Sequence, residues 1–369
     1  MKDFVMSERK CFILTLAIII AAILLAAAFS FCVSGVRENS DRLFSLTDGR
    51  TYNSLIIRKF PFDSVILGSS MSQGFKCSEF DAAFGGQSMK LCAAGANFAE
   101  VKEILDFAVK HKKIKRAMLD TPVAFFGRDL TLDSFPLEYY QENNDMVRLK
   151  KSFSINAFID EFDFFWDYLR GKVKYTTRDE LYDWNRRRSC SESLLAQDVL
   201  YSSGKNYLKD DIAYKNAIVK AENVILPIFR KYSDIEFILF FPPYSMMYYQ
   251  DKDHDKYLAL KKKITELLLS CPNVKLYDFE TAFPVMKNLN NYKDRTHYSG
   301  VINSWMISQM KDGNYRVTVQ NKDKFSADFR ECLKSYDFQK EYDRLKSTYG
   351  NSNKVKKSKK SKKSKKAQK

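Results

Sequence analysis

A chain of 369 residues is long enough for one large domain or two small ones with a sizeable core. With 45% hydrophobic and 29% charged residues, its composition is that of a globular protein, which excludes a chain that is disordered throughout. Lys and Arg outnumber Asp and Glu by 61 to 45, but ten of these lysines lie within residues 354–369. Without that stretch the balance is 51 to 45. The basic charge therefore belongs mainly to a tail and does not characterise the fold.

The first long feature is an apolar run over residues 12–33, "FILTLAIIIAAILLAAAFSFCV", in which 22 positions carry no charge. A helix of that length spans roughly 33 Å, enough for a hydrocarbon core of about 30 Å. The apolar region of a secretory signal is shorter, about 7 to 15 residues. We therefore predict a transmembrane anchor, and a cleaved signal remains the alternative because residues 26–28 are three alanines.

The charges around the run predict its orientation. Lys2, Arg9 and Lys10 precede it, so the positive-inside tendency places residues 1–11 in the cytoplasm. The remainder of the chain then lies outside a single-pass cell-membrane anchor. Residues 34–60 are mixed polar, and we expect them to form a tether or a first surface segment.

The seven cysteines do not predict a disulfide scaffold, because they are scattered and contain no C-x-x-C or metal-ligand spacing. A bridge between Cys77 and Cys92 remains open in an oxidising compartment, but we expect buried free thiols. No metal site is expected.

Short apolar runs alternate with helical patterns between residues 61 and 312, which we take as one α/β domain. The predicted strands are 64–68, 89–95, 116–123, 235–243 and 274–279, and the predicted helices are 97–111, 215–232 and 256–270. Strands separated by helices of this length imply crossover units and a mainly parallel sheet covered on both faces. Residues 313–350 form a C-terminal extension.

Residues 130–210 interrupt the alternation, and we interpret them as an inserted helical cap. Five large apolar side chains of residues 155–169 share one helical face: Phe158, Phe162, Phe165, Trp166 and Leu169. Three acidic side chains lie away from it: Asp160, Asp163 and Asp167. We expect this face to pack against the core. A face that contacts glycans or a membrane is the alternative.

The end of the first predicted strand carries three hydroxyls. In "SVILGSSMSQGF", residues 64–75, a buried strand stops at a glycine, and Ser69, Ser70 and Ser72 follow. Ligands of open α/β sheets bind at the carboxyl ends of the strands. A serine there becomes a nucleophile when a base removes its proton and a third group orients that base.

Three histidines are candidates for the base. His111 lies at a basic helix end, and we expect it to be solvated. His254 lies in the acidic loop "DKDHDK", where a metal site is the minor alternative. His297 follows Asp294 in "DRTH", just before a predicted helix and after the last strand. A D-x-x-H turn lets the carboxylate orient one imidazole nitrogen and leaves the other free as a base.

Together, G-x-S after the first strand and D-x-x-H after the last resemble the SGNH (GDSL-like) hydrolase superfamily over residues 60–310. "LGSS" has Ser69 where the family motif has aspartate, which extracytoplasmic relatives in lipoteichoic acid D-alanylation and alginate O-acetylation also tolerate. The resemblance implies a three-layer sandwich with a flavodoxin-like sheet, Ser70 as nucleophile, His297 as base and Asp294 as its partner. Ser72 is the rival nucleophile.

The oxyanion donors implied by the resemblance are the backbone N–H groups of Ser70 and Gly95, with Gly95 supplied by "CAAGANF". The family's G-x-N-D block is missing, and Asn97 is the candidate for its side-chain donor. With fewer donors, we expect weak intrinsic hydrolysis, since losing one costs on the order of 10²–10³ in rate.

The resemblance implies a membrane-anchored serine esterase or O-acyltransferase that needs no cofactor. Its substrates would be O-acyl groups of a cell-surface glycan or a teichoic-acid-like polymer, with a membrane-bound O-acyltransferase as partner. No nucleic acid is expected as a partner outside the cell.

A non-catalytic reading remains open. "GSSMS" is then a serine-rich loop, the D-x-x-H segment is a surface turn, and the same fold binds anionic wall polymers. Residues 351–369 are predicted to be a disordered, Lys-rich tail suited to such polymers. Basic stretches at 148–152 and 185–189 add positive charge to the cap, and we expect them to be solvated surface.

Overall fold

The computed structural model describes residues 8–45, 49–140, 144–187, 189–202 and 208–350. At its centre lies a six-stranded sheet with the order β2-β1-β3-β4-β5-β6. The strands are β1 (Ser64–Gly68), β2 (Ser88–Cys92), β3 (Arg116–Asp120), β4 (Glu236–Phe241), β5 (Val274–Asp278) and β6 (Arg316–Val317). Strands β1 to β5 are parallel and β6 is antiparallel. The predicted α/β class and mainly parallel sheet are confirmed.

The strands are nearly continuous apolar runs, as expected when both faces of a parallel sheet are covered. β1 is buried at every position, and β4 at every position after the first. The helices of the domain are α3 (Cys77–Phe84), α4 (Phe98–His111), α8 (Asp211–Lys220), α9 (Leu226–Lys231), α10 (His254–Leu269), α11 (Phe283–Lys287) and α12 (Gly300–Lys311). A π-helical stretch, Ala221–Ile225, joins α8 to α9, so the predicted helix 215–232 is one irregular helical segment.

Beyond the sheet, the C-terminal extension is helical. Helices α13 (Lys322–Ser335) and α14 (Phe338–Tyr349) bury Phe329, Leu333 and Leu345 against the domain. Residues 351–369, the predicted tail, lie outside the described residues.

At the other end of the chain, α1 (Glu8–Glu38) contains the whole apolar run. Among the described residues it is the one helix long and apolar enough to cross a membrane. Its side chains from Phe12 to Leu25 are exposed and are not covered by the rest of the described chain.

Part of the segment predicted as a tether or a first surface segment is helical. α1 continues to Glu38, and α2 (Gly49–Lys59) packs on the domain through Tyr52, Ile56 and Ile57, which are buried. Asn53 and Ser54 of α2 are buried as well, so the mixed polar composition of the segment did not indicate how much of it the domain covers.

The predicted insertion between β3 and β4 is helical, with α5 (Asn144–Ser152), α6 (Ile155–Leu169) and α7 (Glu192–Tyr201). The aromatic face of α6 has a different neighbour from the one expected. Phe158, Phe162 and Phe165 lie around Phe29 of α1 and not against the sheet.

All seven cysteines are free thiols. Cys77 and Cys92, the pair left open as a bridge, are buried, and each donates to a different backbone carbonyl, of Arg178 and Ile66.

The carboxyl ends of the parallel strands meet along one edge of the sheet. Gly68 ends β1 with a positive φ of 115°, a conformation that L side chains rarely adopt. A Cβ at this position would lie 1.9 Å from Oδ1 of Asp120, the last residue of β3. The chain can therefore turn here only because residue 68 lacks a side chain.

Replacing Gly68 with alanine should reduce the free energy of unfolding by about 3 kcal/mol or more, because backbone strain and a clash with Asp120 act together. Gly313→Ala is the matched control, since its φ is +75° but its Cβ would meet open space. We expect about 1 kcal/mol there. Chemical denaturation measures both losses, and equal losses would contradict the role of the close approach.

Candidate functional site

Two of the three serines after β1 hold the turn in place. The Asp120 carboxylate accepts hydrogen bonds from the Ser69 N–H at 2.8 Å and from the Ser69 hydroxyl at 2.7 Å. It also accepts one from the Ser72 hydroxyl at 2.6 Å. Ser69 and Ser72 are buried, whereas Ser70, between them, is partly exposed. Asp120 of β3 thus holds the turn. Of the three serines, only Ser70 has a hydroxyl that does not bind Asp120.

Burial raises the pKa of the Asp120 carboxyl, and the hydrogen bonds from Ser72 and Ser69 act against this rise. Both carboxylate oxygens are occupied by these donors. Sequence reasoning did not identify Asp120, although it lies within the predicted strand 116–123 and ends β3 at the same edge of the sheet. A carboxylate at a strand end was the signal that could have found it.

The hydroxyl of Ser70 lies 2.8 Å from Nε2 of His297. The two residues are 227 positions apart in the chain, and they meet because β1 and the loop before α12 end at the same edge of the sheet. This distance is that of a hydrogen bond, the separation required of a base that removes the serine proton.

The other nitrogen of His297, Nδ1, lies 2.9 Å from both carboxylate oxygens of Asp294. A carboxylate only accepts, so the proton resides on Nδ1 and Nε2 accepts from Ser70. The D-x-x-H segment is held as a tight turn by the bond from the His297 N–H to Asp294 Oδ1, at 2.8 Å. An antiparallel bridge between Tyr292 and Tyr298 closes its base.

Burial alone would raise the pKa of Asp294. The hydrogen bond and charge of the His297 imidazole, with the N–H groups of His297 and Thr296, instead hold this pKa well below its ordinary value. The carboxylate is therefore ionised at neutral pH and stabilises a positive charge on the imidazole. A serine, an imidazole and a carboxylate thus form one continuous chain of hydrogen bonds.

The insertion contributes Trp184 to this site. Its Nε1–H donates to the Ser70 carbonyl oxygen at 2.9 Å, and its ring meets the His297 ring edge to face at 5.3 Å. The ammonium of Lys293 lies 5.0 Å from the Trp184 ring centre and 3.5 Å from Asp294 Oδ2. Sequence reasoning missed Trp184, because nothing in the pattern of the insertion distinguishes it from the other aromatic residues there.

Of the three predicted oxyanion residues, Ser70 lies in the turn after β1, and Gly95 and Asn97 lie in the segment after β2. Gly95 has a φ of +68°, and the space where its Cβ would stand is open. Asn97 is occupied elsewhere: its Oδ1 caps α4 by accepting the N–H groups of Ala99 and Glu100. Its amide donates to the Thr131 carbonyl oxygen at 2.9 Å. These bonds use the Asn97 side chain as a helix cap and a loop anchor.

The remaining histidines each bind a backbone carbonyl. A nitrogen of His111 lies 2.9 Å from the Phe107 carbonyl oxygen, and one of His254 lies 2.9 Å from that of Tyr249. In the described ranges, no group of three or more His, Cys, Asp or Glu side chains is arranged to hold a metal ion.

No protein-family model matches the chain, and no curated protein matches it in sequence.

Removing the Asp120 carboxylate should destabilise the fold, because Asp120→Ala leaves one buried N–H and two buried hydroxyls without their acceptor. We expect the free energy of unfolding to fall by about 2–5 kcal/mol. Asp120→Asn keeps an acceptor at Oδ1 and should lose less than half as much. Denaturant unfolding at neutral pH compares them. Equal losses in both variants would show that the charge, and not the position of the acceptor, holds the turn.

Proposed function

We propose that this chain is a membrane-anchored, extracytoplasmic serine esterase or O-acyltransferase that acts on O-acyl groups of a cell-surface polymer. One observation carries the proposal: Ser70 Oγ lies 2.8 Å from His297 Nε2, whose partner nitrogen lies 2.9 Å from Asp294. Ser70 is also the one hydroxyl of its turn that Asp120 does not hold. A serine activated in this way is suited to acyl transfer.

We place the chain in the SGNH superfamily as part of this proposal. The order β2-β1-β3-β4-β5 is that of flavodoxin-like sheets, and helices on both faces would give three layers. The serine follows the first strand, and the D-x-x-H turn directly precedes α12. In place of the absent G-x-N-D block, the chain after β3 continues as Thr121 and Pro122.

The reaction would begin when Ser70 attacks the acyl carbonyl carbon and His297 Nε2 takes the hydroxyl proton. Asp294 stabilises the resulting imidazolium. The tetrahedral intermediate carries its negative charge on the former carbonyl oxygen, towards which the N–H groups of Ser70 and Gly95 would point. Its collapse breaks the ester bond, and His297 returns the proton to the departing alcohol.

The acyl group then rests on Ser70, and a second hydroxyl completes the cycle. His297 removes the proton of this hydroxyl, the oxygen attacks the acyl-serine, and Ser70 regains the proton as it leaves. Water as the second hydroxyl gives hydrolysis, and a polymer hydroxyl gives transfer. A membrane-bound O-acyltransferase would fit as the partner that supplies the acyl group.

The way in which the chain leaves α1 supports an action close to the membrane. A Cβ on Gly49 would lie 1.9 Å from the carbonyl oxygen of Cys92, the last residue of β2. The next residue, Ala93, donates its N–H to the carbonyl oxygen of Gly68. Ser70 is two positions after Gly68 in the chain. Neighbouring strands are about 4.8 Å apart, so the chain enters the domain close to the proposed nucleophile.

Replacing Ser70 with alanine should abolish covalent labelling by a fluorophosphonate probe, because the probe reacts only with an activated serine. Ser72→Ala should still be labelled, since the Ser72 hydroxyl is bonded to Asp120 and not to His297. Labelling read by mass spectrometry decides between them. A wild-type chain that resists the probe but binds anionic wall polymers would favour the non-catalytic alternative.

Asp294→Asn should lower the turnover of an aryl acetate by about 10³-fold or more, because the asparagine amide would donate to Nδ1 and move the imidazole proton to Nε2. His297→Ala should lose at least as much. Asp198→Asn is the control. Asp198 lies on α7 and accepts a hydrogen bond from the N–H of Arg295, which stands between Asp294 and His297, but it does not touch His297. Wild-type turnover in Asp294→Asn or His297→Ala would contradict the assignment.

A further inference from the structure

The contact between α6 and α1 lies inside the charge-free run of α1. The ring of Phe29 is 5.7 Å from that of Phe158, 6.2 Å from that of Phe162 and 5.3 Å from that of Phe165, between ring centres. Phe29 precedes the end of the run, Val33, by four residues, or about 6 Å along the helix. If the run spans a membrane, α6 touches it about 6 Å below the end of its apolar surface.

The apolar side of α6 is wider than its contact with α1. At about 100° per residue, Ile155, Ile159, Phe162, Trp166 and Leu169 fall within an arc of about 80°. All five side chains are exposed, with Ile155 at 74% and Leu169 at 58%. This arc overlaps the one that meets Phe29, so the apolar surface of α1 continues onto α6 without a break.

The neighbouring arc of α6 carries its three aspartates. Asp160, Asp163 and Asp167 lie within about 60° of one another, next to the exposed apolar arc. α6 therefore has a strongly apolar and a strongly polar side, as do helices that lie in the plane of a membrane interface. The preceding helix, α5, adds exposed Met146 and Leu149, and Phe153 follows it.

Polar contacts hold both helices to α1 just beyond the apolar run. Arg37 forms an ion pair with Glu161 of α6, and Arg148 of α5 binds Glu38 at 3.0 Å. The guanidinium of Arg148 also lies over the ring of Phe31, 4.0 Å from its centre. Charged groups thus begin where the apolar run ends, the arrangement expected at a membrane surface.

We propose that α5 and α6 lie in the outer interfacial layer of the bilayer that α1 crosses, with the exposed apolar arc of α6 among the lipid acyl chains. The proposal rests on the membrane anchoring proposed above. Interfacial helices lie about 5–10 Å into the boundary between headgroups and acyl chains, and the depth of Phe29 falls in this range. Lipid is the favoured occupant because the arc continues the surface that α1 itself presents to lipid.

This placement changes the role of the anchor. A helix followed by a flexible tether would allow the domain to turn freely above the membrane. A transmembrane helix and an interfacial helix packed against it would fix both the height and the tilt of the domain. The proposed substrate is then the part of the polymer that lies near the membrane surface.

Nitroxide labels on single cysteines can test this in the full-length chain reconstituted in lipid nanodiscs. Cys11, Cys32 and Cys190, which are not buried, are first replaced by serine. Ile155→Cys and Ile159→Cys report on α6. Ile20→Cys reports on the middle of the apolar run of α1.

Val319→Cys is the aqueous control, because it is exposed and follows β6, at the sheet edge opposite β2 and therefore far from α2. The measured quantity is the ratio of collisions with oxygen, which concentrates in lipid, to collisions with a water-soluble nickel chelate. Circular dichroism melting curves verify that each labelled variant is folded.

We expect positions 155 and 159 to share the high ratio of position 20, several-fold above that of position 319. A low ratio at 155 and 159 with a high ratio at 20 overturns the placement of α6 but leaves the anchoring intact. A low ratio at 20 overturns the anchoring as well. Protection of 155 and 159 from both reagents would show that protein, and not lipid, covers α6.

Discussion

The candidate site depends on one buried carboxylate. Asp120 is inaccessible to water, and an ionised group in such a place is tolerated only when hydrogen bonds replace its hydration. The turn after β1 supplies them through the Ser69 N–H and the hydroxyls of Ser69 and Ser72. The same carboxylate occupies the space in which a side chain at position 68 would lie. One structural requirement therefore explains four residues: Gly68 before the turn, Ser69 and Ser72 within it, and Asp120 on the neighbouring strand.

Whether a feature could be predicted from the sequence depends on how far apart in the chain the interacting residues lie. The strands were predictable because burial on both faces selects continuous apolar runs, and the D-x-x-H turn because its bonds span three residues. The contact between Asp120 and Ser69 depends on β3 lying beside β1, although β2 lies between them in the chain. Periodicity describes which face of an element is apolar, but it does not say which element covers that face. For this reason the aromatic face of α6 was recognised while its partner, Phe29, was not.

Trp184 and Asn97 show the same limit at the level of single side chains. Asn97 stood at a plausible position for a donor to the oxyanion, but an asparagine just before a helix also has a strong local use as an N-cap. The local use prevails here, since both ends of its amide are bonded. Trp184 has no local signature, and its importance arises only because the insertion folds back over the turn and donates to the Ser70 carbonyl oxygen.

The geometry also links α1 to the candidate site. After α1 ends, Lys59 of α2 donates to the Glu38 carbonyl oxygen, and the Phe44 N–H donates to the Tyr52 hydroxyl. The chain therefore returns alongside α2 before Gly49 meets the end of β2. Glu38 and Phe44 are each bonded to α2, and Gly49 lies against the end of β2, so a tilt of α1 would move the carboxyl edge of the sheet with it. If α1 anchors the chain and Ser70 is the nucleophile, as proposed, an acyl donor delivered from within the membrane would meet Ser70 at a fixed height. The effective concentration of the donor, more than the intrinsic reactivity of Ser70, would then favour transfer over hydrolysis.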